Sequence, residues 1–408
     1  MSRGAALALL ITLLGVAESH AQKLPEIRGY YLNVPLWSDS TQFAVGGFGD
    51  LQRLRFMTEP ALGPFNLEVA YEHLLSYSER AVSAPVRSII AGLAPGGGEW
   101  LHLQWTIEES DHWLWRHRFD RLNLQYGNEA FEATLGRQTI SWATTLFLTP
   151  ADPFAPFDPA DPFREYRGGV DAIRFQAFPG TLSDIDLVLR MDSTRVGETY
   201  TALARGRTVW KGWEVSAWAG ALHEQAAAAV GAAGSLGTLA VRGELSLRDE
   251  DDELIVRGTI GIDTRVDAFD RDLYLVLEYQ HDDFGASSSQ ELLELVLPDT
   301  LAPDELQVLG RDALARGELQ VLGQDELAGS ASYQIHPLLT GSLLALWNLN
   351  DLSALIVPGA SYSASNEVTL QAGLFLGLGD GTPASFSDIP SEYGIVPTSV
   401  YVSLTAFF

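Results

Sequence analysis

Hydrophobic and polar positions alternate along most of this chain. In residues 367–378, EVTLQAGLFLGL, the positions Val368, Leu370, Ala372, Leu374, Leu376 and Leu378 form one side, and Thr369, Gln371, Gly373, Phe375 and Gly377 the other. In 183–192, SDIDLVLRMD, Ile185, Leu187, Leu189 and Met191 oppose Asp184, Asp186, Arg190 and Asp192. The last eight residues, YVSLTAFF, set Val402, Leu404, Ala406 and Phe408 against Tyr401, Ser403, Thr405 and Phe407. Period two is the signature of strands. A wholly apolar face opposite one that mixes hydroxyls, charges and aromatics suits lipid outside and a wet lumen inside. A soluble edge strand would alternate in the same way, so the number and length of the segments must decide.

Segments of the length a tilted membrane strand needs fall near 27–37, 47–58, 64–75, 115–126, 129–140, 169–178, 183–192, 198–207, 212–221, 224–232, 237–248, 254–264, 272–281, 326–335, 338–349, 353–364, 367–378 and 397–408. That predicts about 18 strands, with 16 possible because 198–207 and 224–232 are the weakest. The fold class expected is all-β: an antiparallel, up-and-down transmembrane barrel with no plug domain. Long connections near 76–114, 141–168, 282–325 and 379–396 all follow odd-numbered strands, as they must if both termini lie on the inner side and the long loops outside. Even connections read as tight turns at Gly127-Asn128, Pro179-Gly180, His336-Pro337 and Ser365-Asn366. A soluble β-sandwich is the competing fold, but only closure satisfies every edge group of a sheet in lipid.

Residues 1–21, MSRGAALALLITLLGVAESHA, carry one Arg, an apolar run from Ala5 to Ala17 and the small-x-small pattern Ser19-His20-Ala21. This predicts a cleaved export signal, leaving 22–408 as a single barrel domain. The sequence holds no cysteine, which excludes disulfides, thiolate metal sites and covalently attached haem. Net charge is −27, compatible with nothing more than solubility of exposed loops. Of 26 basic residues only Lys23 and Lys211 are lysine; GC-rich codon usage explains that, and so does a need for planar, fork-shaped donors.

The alternating strand that ends in Phe408 resembles the signal by which the barrel-assembly machinery recognises outer-membrane proteins. The mature chain as a whole is similar to large porin-type barrels. A more local resemblance, to porin-like and alginate-export-type barrels, rests on Gly136-Arg137-Gln138, Ile140-Ser141-Trp142, a Pro/Asp-rich loop and Tyr166-Arg167-Gly168-Gly169-Val170-Asp171. These resemblances imply the outer membrane of a Gram-negative-type bacterium, contact with its lipid, the assembly machinery as a partner, and allow a homo-oligomer, trimers being common among such barrels. No nucleic-acid partner and no cofactor are expected.

The expected working parts are lumen-facing side chains and loops that narrow the pore. Arg53, Arg55, Arg121, Arg174, Arg190, Arg242 and Arg257 are candidate pore-lining residues, with Arg248 beside them, while Ser330, Ser332, Gln334, Thr369, Gln371, Ser403 and Thr405 form a neutral wall. Arginine rings select anions. The plainer alternative is that these arginines pair with Glu68, Glu72, Glu132, Asp186 and Glu278, Glu244 and Asp263 also standing opposite in sign. The loop PADPFAPFDPADPFREYR, 150–167, is too proline-rich to pair as a strand and too aromatic to float free. Either it enters the barrel mouth as a constriction carrying Arg137, Phe154, Phe157, Phe163, Arg164 and Arg167, or it packs on the surface with no gating role. Its Asp152, Asp158 and Asp161 lack EF-hand spacing, no Gly-x-Ser-x-Gly elbow exists, and the near-copies ELQVLGRD (305–312) and ELQVLGQD (318–325) suggest a small hairpin in an outer loop, preceded by the amphipathic stretch Gln290–Leu297. The function expected is a non-enzymatic channel for small hydrophilic solutes, acidic saccharides among them; an adhesin or structural barrel, and less readily an outer-membrane hydrolase, are the alternatives.

Overall fold

A computed structural model describes residues 25–40, 46–79, 99–154, 159–163, 166–194, 197–250, 253–296, 309–380 and 391–408. The expected leader, Phe157 and Arg164 lie outside the described residues.

Twenty strands join in one antiparallel sheet. Eighteen form the wall: β1 (Arg28–Ser38), β2 (Gly47–Thr58), β4 (Phe65–Ser78), β6 (Trp113–Gly127), β7 (Phe131–Gln138), β8 (Val170–Gly180), β9 (Ser183–Thr194), β10 (Gly197–Trp210), β11 (Trp213–Leu222), β12 (Gln225–Leu236), β13 (Leu239–Glu250), β14 (Glu253–Ala268), β15 (Arg271–Asp282), β16 (Asp325–His336), β17 (Leu339–Asn348), β18 (Ala354–Ser363), β19 (Val368–Leu378) and β20 (Ser399–Phe407). Each pairs with the next, and β20 returns to β1 through Tyr30↔Phe407 to Ser38↔Ser399. Reciprocal bonds between Gly29 and Phe408, 2.8 and 3.0 Å, finish the closure. Every predicted strand has its counterpart. Closure leaves the wall without an edge, which lipid requires.

Two short strands were not anticipated. β3 (Ala61–Leu62) only folds back on the start of β4. β5 (Gln104–Glu109) pairs with the upper part of β6 from Leu114 to Arg118, inside what read as a loop. Its cause is topological: β7 leaves the wall at Gln138, so β6 keeps β7 as neighbour only over Leu122–Gly127 and β5 covers the edge above. Pro179-Gly180 is not the turn but the end of β8, where a register shift between Ala177 and Gly180 absorbs the missing proline N–H.

Two helices, α1 (Ser289–Val296) and α2 (Leu309–Ala315), lie in the 282–325 connection. Leu292, Leu295 and Ala313 pack with Phe284, Ala286, Leu319 and Ile255 of the wall. Of the near-copies, Leu309–Asp312 of the first is helical, whereas 318–324 of the second is an irregular segment leading into β16; 305–308 lie outside the described residues. Identical side chains take the conformation their surroundings satisfy.

The outer face is apolar: Ile185, Leu187, Leu189, Leu245, Ile260, Ile262, Val400 and Val402 are all exposed there. Two rows of touching rings bound it. Trp37, Phe48, Tyr77 and Trp113 run along the loop-bearing rim, and Phe65, Tyr126, Phe131 and Phe175 along the opposite one. From Phe65 to Tyr77 on β4 is twelve residues, about 40 Å along the strand and about 30 Å after a tilt of about 40°. That height matches a bilayer with its aromatic girdles.

Candidate functional site: a loop anchored across the lumen

After β7 the chain turns inward, and the described residues 139–154, 159–163 and 166–169 lie in the interior. The root of the loop is built from the Gly136-Arg137-Gln138 and Tyr166–Asp171 segments. The guanidinium of Arg137 holds the Asp171 carboxylate at 2.7–2.8 Å and donates to the Leu101 carbonyl at 2.7 Å. Gly169 lies so close to the wall that a Cβ there would come 2.2 Å from the Asp120 carbonyl oxygen, so only glycine fits.

Two glutamates on the far wall grip the crossing segment by its backbone. Glu244 of β13 accepts N–H bonds from Thr144 (2.8 Å), Thr145 (3.3 Å) and Ala151 (3.1 Å). Glu278 of β15 accepts from Leu146 (2.6 Å), Phe147 (2.8 Å) and Leu148 (2.9 Å). A carboxylate in a cluster of N–H groups makes charge-assisted bonds, and these satisfy backbone groups that a dry interior would otherwise leave unpaired. The sequence reading counted both acids as partners for arginine; here they hold a loop about a hundred residues away. Arg190 and Arg53 add bonds to the carbonyls of Phe154 (3.2 Å) and Phe163 (3.2 Å), and Gln320 accepts from Thr149 N (2.5 Å).

The loop's greasy side chains explain apolar residues on the wet face of the strands. Ile140, Trp142 and Phe154 form a core with Val188, Leu203 and Trp218, and Leu148 forms another with Leu346, Leu355 and Val357. Phe154 meets Trp142 edge-on at 4.8 Å, and Phe163 meets Tyr401 at 4.7 Å. The loop therefore packs inside the barrel.

Each candidate pore-lining arginine faces inward, and all but Arg53 have a carboxylate partner within 4 Å. Arg55 contacts Glu72 and Asp120, with Tyr166 stacked 4.7 Å from its carbon. Arg121 bonds Asp120 at 2.6 Å, Arg174 Asp186 at 2.5 Å, Arg242 Asp263 at 2.9 Å and Arg257 Asp282 at 2.8 Å; Arg190 pairs with Asp192. Arg167 of the loop is tied to Asp152 at 2.9 Å. Arg137 is fully buried at the loop's root and not at an eyelet. Two lumen-side arginines that the sequence reading passed over, Arg205 and Arg265, show no ion pair among the described residues and lie over the rings of Trp142 and Tyr274, at 5.7 Å in each case.

The neutral wall is only partly neutral. Glu326 of β16 is buried on it, bonded by Tyr393 Oη at 3.0 Å. Glu392, brought in by the 379–396 connection, accepts from Leu322 N, Gly323 N and Asn348 Nδ2 at 2.8–3.1 Å. Burial pushes the Glu392 carboxyl above its ordinary range.

An apolar exterior between aromatic girdles, closed on itself around an interior with folded-in loops, is the architecture of a transmembrane β-barrel. No known family and no curated protein matches the sequence. Solved structures share the fold: OccAB1 of Acinetobacter baumannii (TM-score 0.54, 9% identity, covering 94% of this chain and 96% of that one), OccK2 (OpdF) of Pseudomonas aeruginosa in complex with glucuronate (0.52, 10%, 94% and 98%), and the outer membrane protein OpdK of Pseudomonas aeruginosa (0.50, 9%, 94% and 99%). At such identities the likeness is one of architecture.

Proposed function

We propose that the protein is a passive outer-membrane channel for small hydrophilic solutes, with a preference for anions that extends to acidic saccharides. The observation that carries this reading is the polar inner half of the lumen, lined by Arg207, Arg242, Arg265, Ser330, Ser332 and Gln334 and open to solvent, which leads up to the anchored loop. The cross-section narrows there, with Arg53, Phe163 and Arg167 as constriction residues. Glucuronate, a sugar acid, occupies OccK2, whose fold this chain shares. Because most candidate arginines are already neutralised, the exposed Arg265 is the side chain that would tip selectivity toward anions.

Planar-bilayer recording of the refolded protein in a KCl gradient tests this. Stable channel steps with a reversal potential of anionic sign are expected. The reversal potential should shift toward zero in Arg265→Gln. Cation preference would overturn the anion reading, and a folded, silent barrel would overturn the channel.

A further inference from the structure

On the loop-bearing side of the anchored segment, four guanidinium groups converge on a recess that Phe154 and Trp218 also line. Its centre is occupied by Glu318, which follows α2 and belongs to no strand. Arg248 Nη1 lies 2.7 Å and Arg257 Nη1 3.8 Å from one carboxylate oxygen. Arg316 Nε lies 2.5 Å and His223 Nε2 3.7 Å from the other. Arg190 closes the recess from β9.

The charges divide into fixed and delivered. Arg190, Arg248 and Arg257 each have an acid of the wall beside them, respectively Asp192, Glu250 and Asp282. Glu250 also reaches Arg316, at 3.0 Å. With Glu318 the count is four positive against four negative; without it one positive charge is uncompensated. Burial holds His223 neutral, its pKa pushed down to about 3. Burial alone would raise the Glu318 carboxyl, but Arg248, Arg316 and Arg257 hold it well below the ordinary range. Donors remain beyond those that Glu318 uses: Arg248 Nη2 and His223 Nδ1 are buried and make no hydrogen bond. A planar carboxylate fits such forks.

We propose that this recess is a monocarboxylate-binding site which the chain closes with its own Glu318, and that a small carboxylate enters by exchanging one for one with that side chain. That the carboxylate is one the channel carries rests on the channel reading, but the site itself can be tested without any current. Tethering gives Glu318 an effective concentration in the millimolar range or above, so the wild type should discriminate little between acetate and chloride. Glu318→Gln frees the positive charge while keeping the shape.

Thermal unfolding of the detergent-solubilised full chain, in acetate and in chloride at equal ionic strength, reads this out by linkage. Glu318→Gln should show a saturable rise in melting temperature in acetate, and adding Arg316→Gln, which restores the charge balance, should abolish it. Glu318→Asp, which keeps the charge but shortens the arm, should respond at higher acetate and serves if the glutamine variant does not fold. Responses to acetate no larger than the wild type's in both Glu318 variants would overturn the proposal. An acetate response in a barrel that passes no current would support the site while overturning the channel.

Discussion

One strand, β14, carries the same kind of ion pair in two different solvents. Near its inner end Asp263 binds Arg242, which keeps 29% of its side chain exposed. Six residues away Arg257 binds Asp282, with only 8% and 1% exposed. Distances, 2.9 and 2.8 Å, and chemistry are alike. The difference is cover: the anchored loop, the segment around Glu318 and the Glu392 connection fill the outer half of the lumen and leave the inner half wet. Whether a lumen arginine lines a channel or belongs to a core is thus decided by the loops and not by the strand that bears it.

The largest effect should come from removing an anchor. Glu278→Ala leaves three N–H groups unpaired, that of Leu148 buried and those of Leu146 and Phe147 half-buried, a loss on the order of 5 kcal/mol if the loop stays in place. Denaturant unfolding should show that loss, or else the loop should be released and proteolysed between folded barrel strands. Wild-type stability together with wild-type protease resistance would show that the loop does not depend on Glu278.

The paired arginines give a sharper contrast. Arg257→Ala strands a buried carboxylate and should cost about 3–5 kcal/mol, whereas Arg242→Ala removes a partly solvated pair and should cost about 0.2–1 kcal/mol. Equal losses in urea titration would erase the distinction between the halves.

Acidification should weaken the outer half. The folded-state pKa of His223 lies below that of the unfolded chain, so its contribution is complete above about pH 6.5 and is lost as pH falls from there toward about 3. Glu318, also depressed, works in the same direction at lower pH. Glu392 is raised and works oppositely: its contribution is complete below the ordinary carboxylate range and fades as pH rises. Melting temperature against pH should flatten on the acid side in His223→Gln, and an unchanged profile would remove His223 from the account.

The wall was legible because lipid imposes a period of two on every strand, and Ile185 to Met191 or Val400 to Leu404 show it without help from distant residues. That the loop packs against something was legible too, since Phe154 and Phe163 need cover, but the sequence left a surface site and the barrel interior equally open. Its anchors were not. Glu244 and Glu278 act through backbone N–H groups about a hundred residues or more away, and a backbone donor leaves no mark in the sequence. Val188, Leu203 and Leu346 break the alternation on the wet face, and that run of apolar residues on both faces was the available clue that something apolar lay inside. β5 was hidden because its cause, the early departure of β7, is an event in another segment.

The absence of cysteine makes the central comparison directly measurable. Single variants Ser332→Cys, in the inner half, and Ser246→Cys, beneath the loop, would be labelled with a small methanethiosulfonate reagent in the folded barrel. The account predicts rapid labelling at 332, labelling at 246 slower by at least about tenfold, corresponding to about 1.4 kcal/mol of protection, and acceleration at 246 when Glu244→Gln loosens the loop. Equal rates at the two positions would show that the lumen is not divided, and would contradict the account.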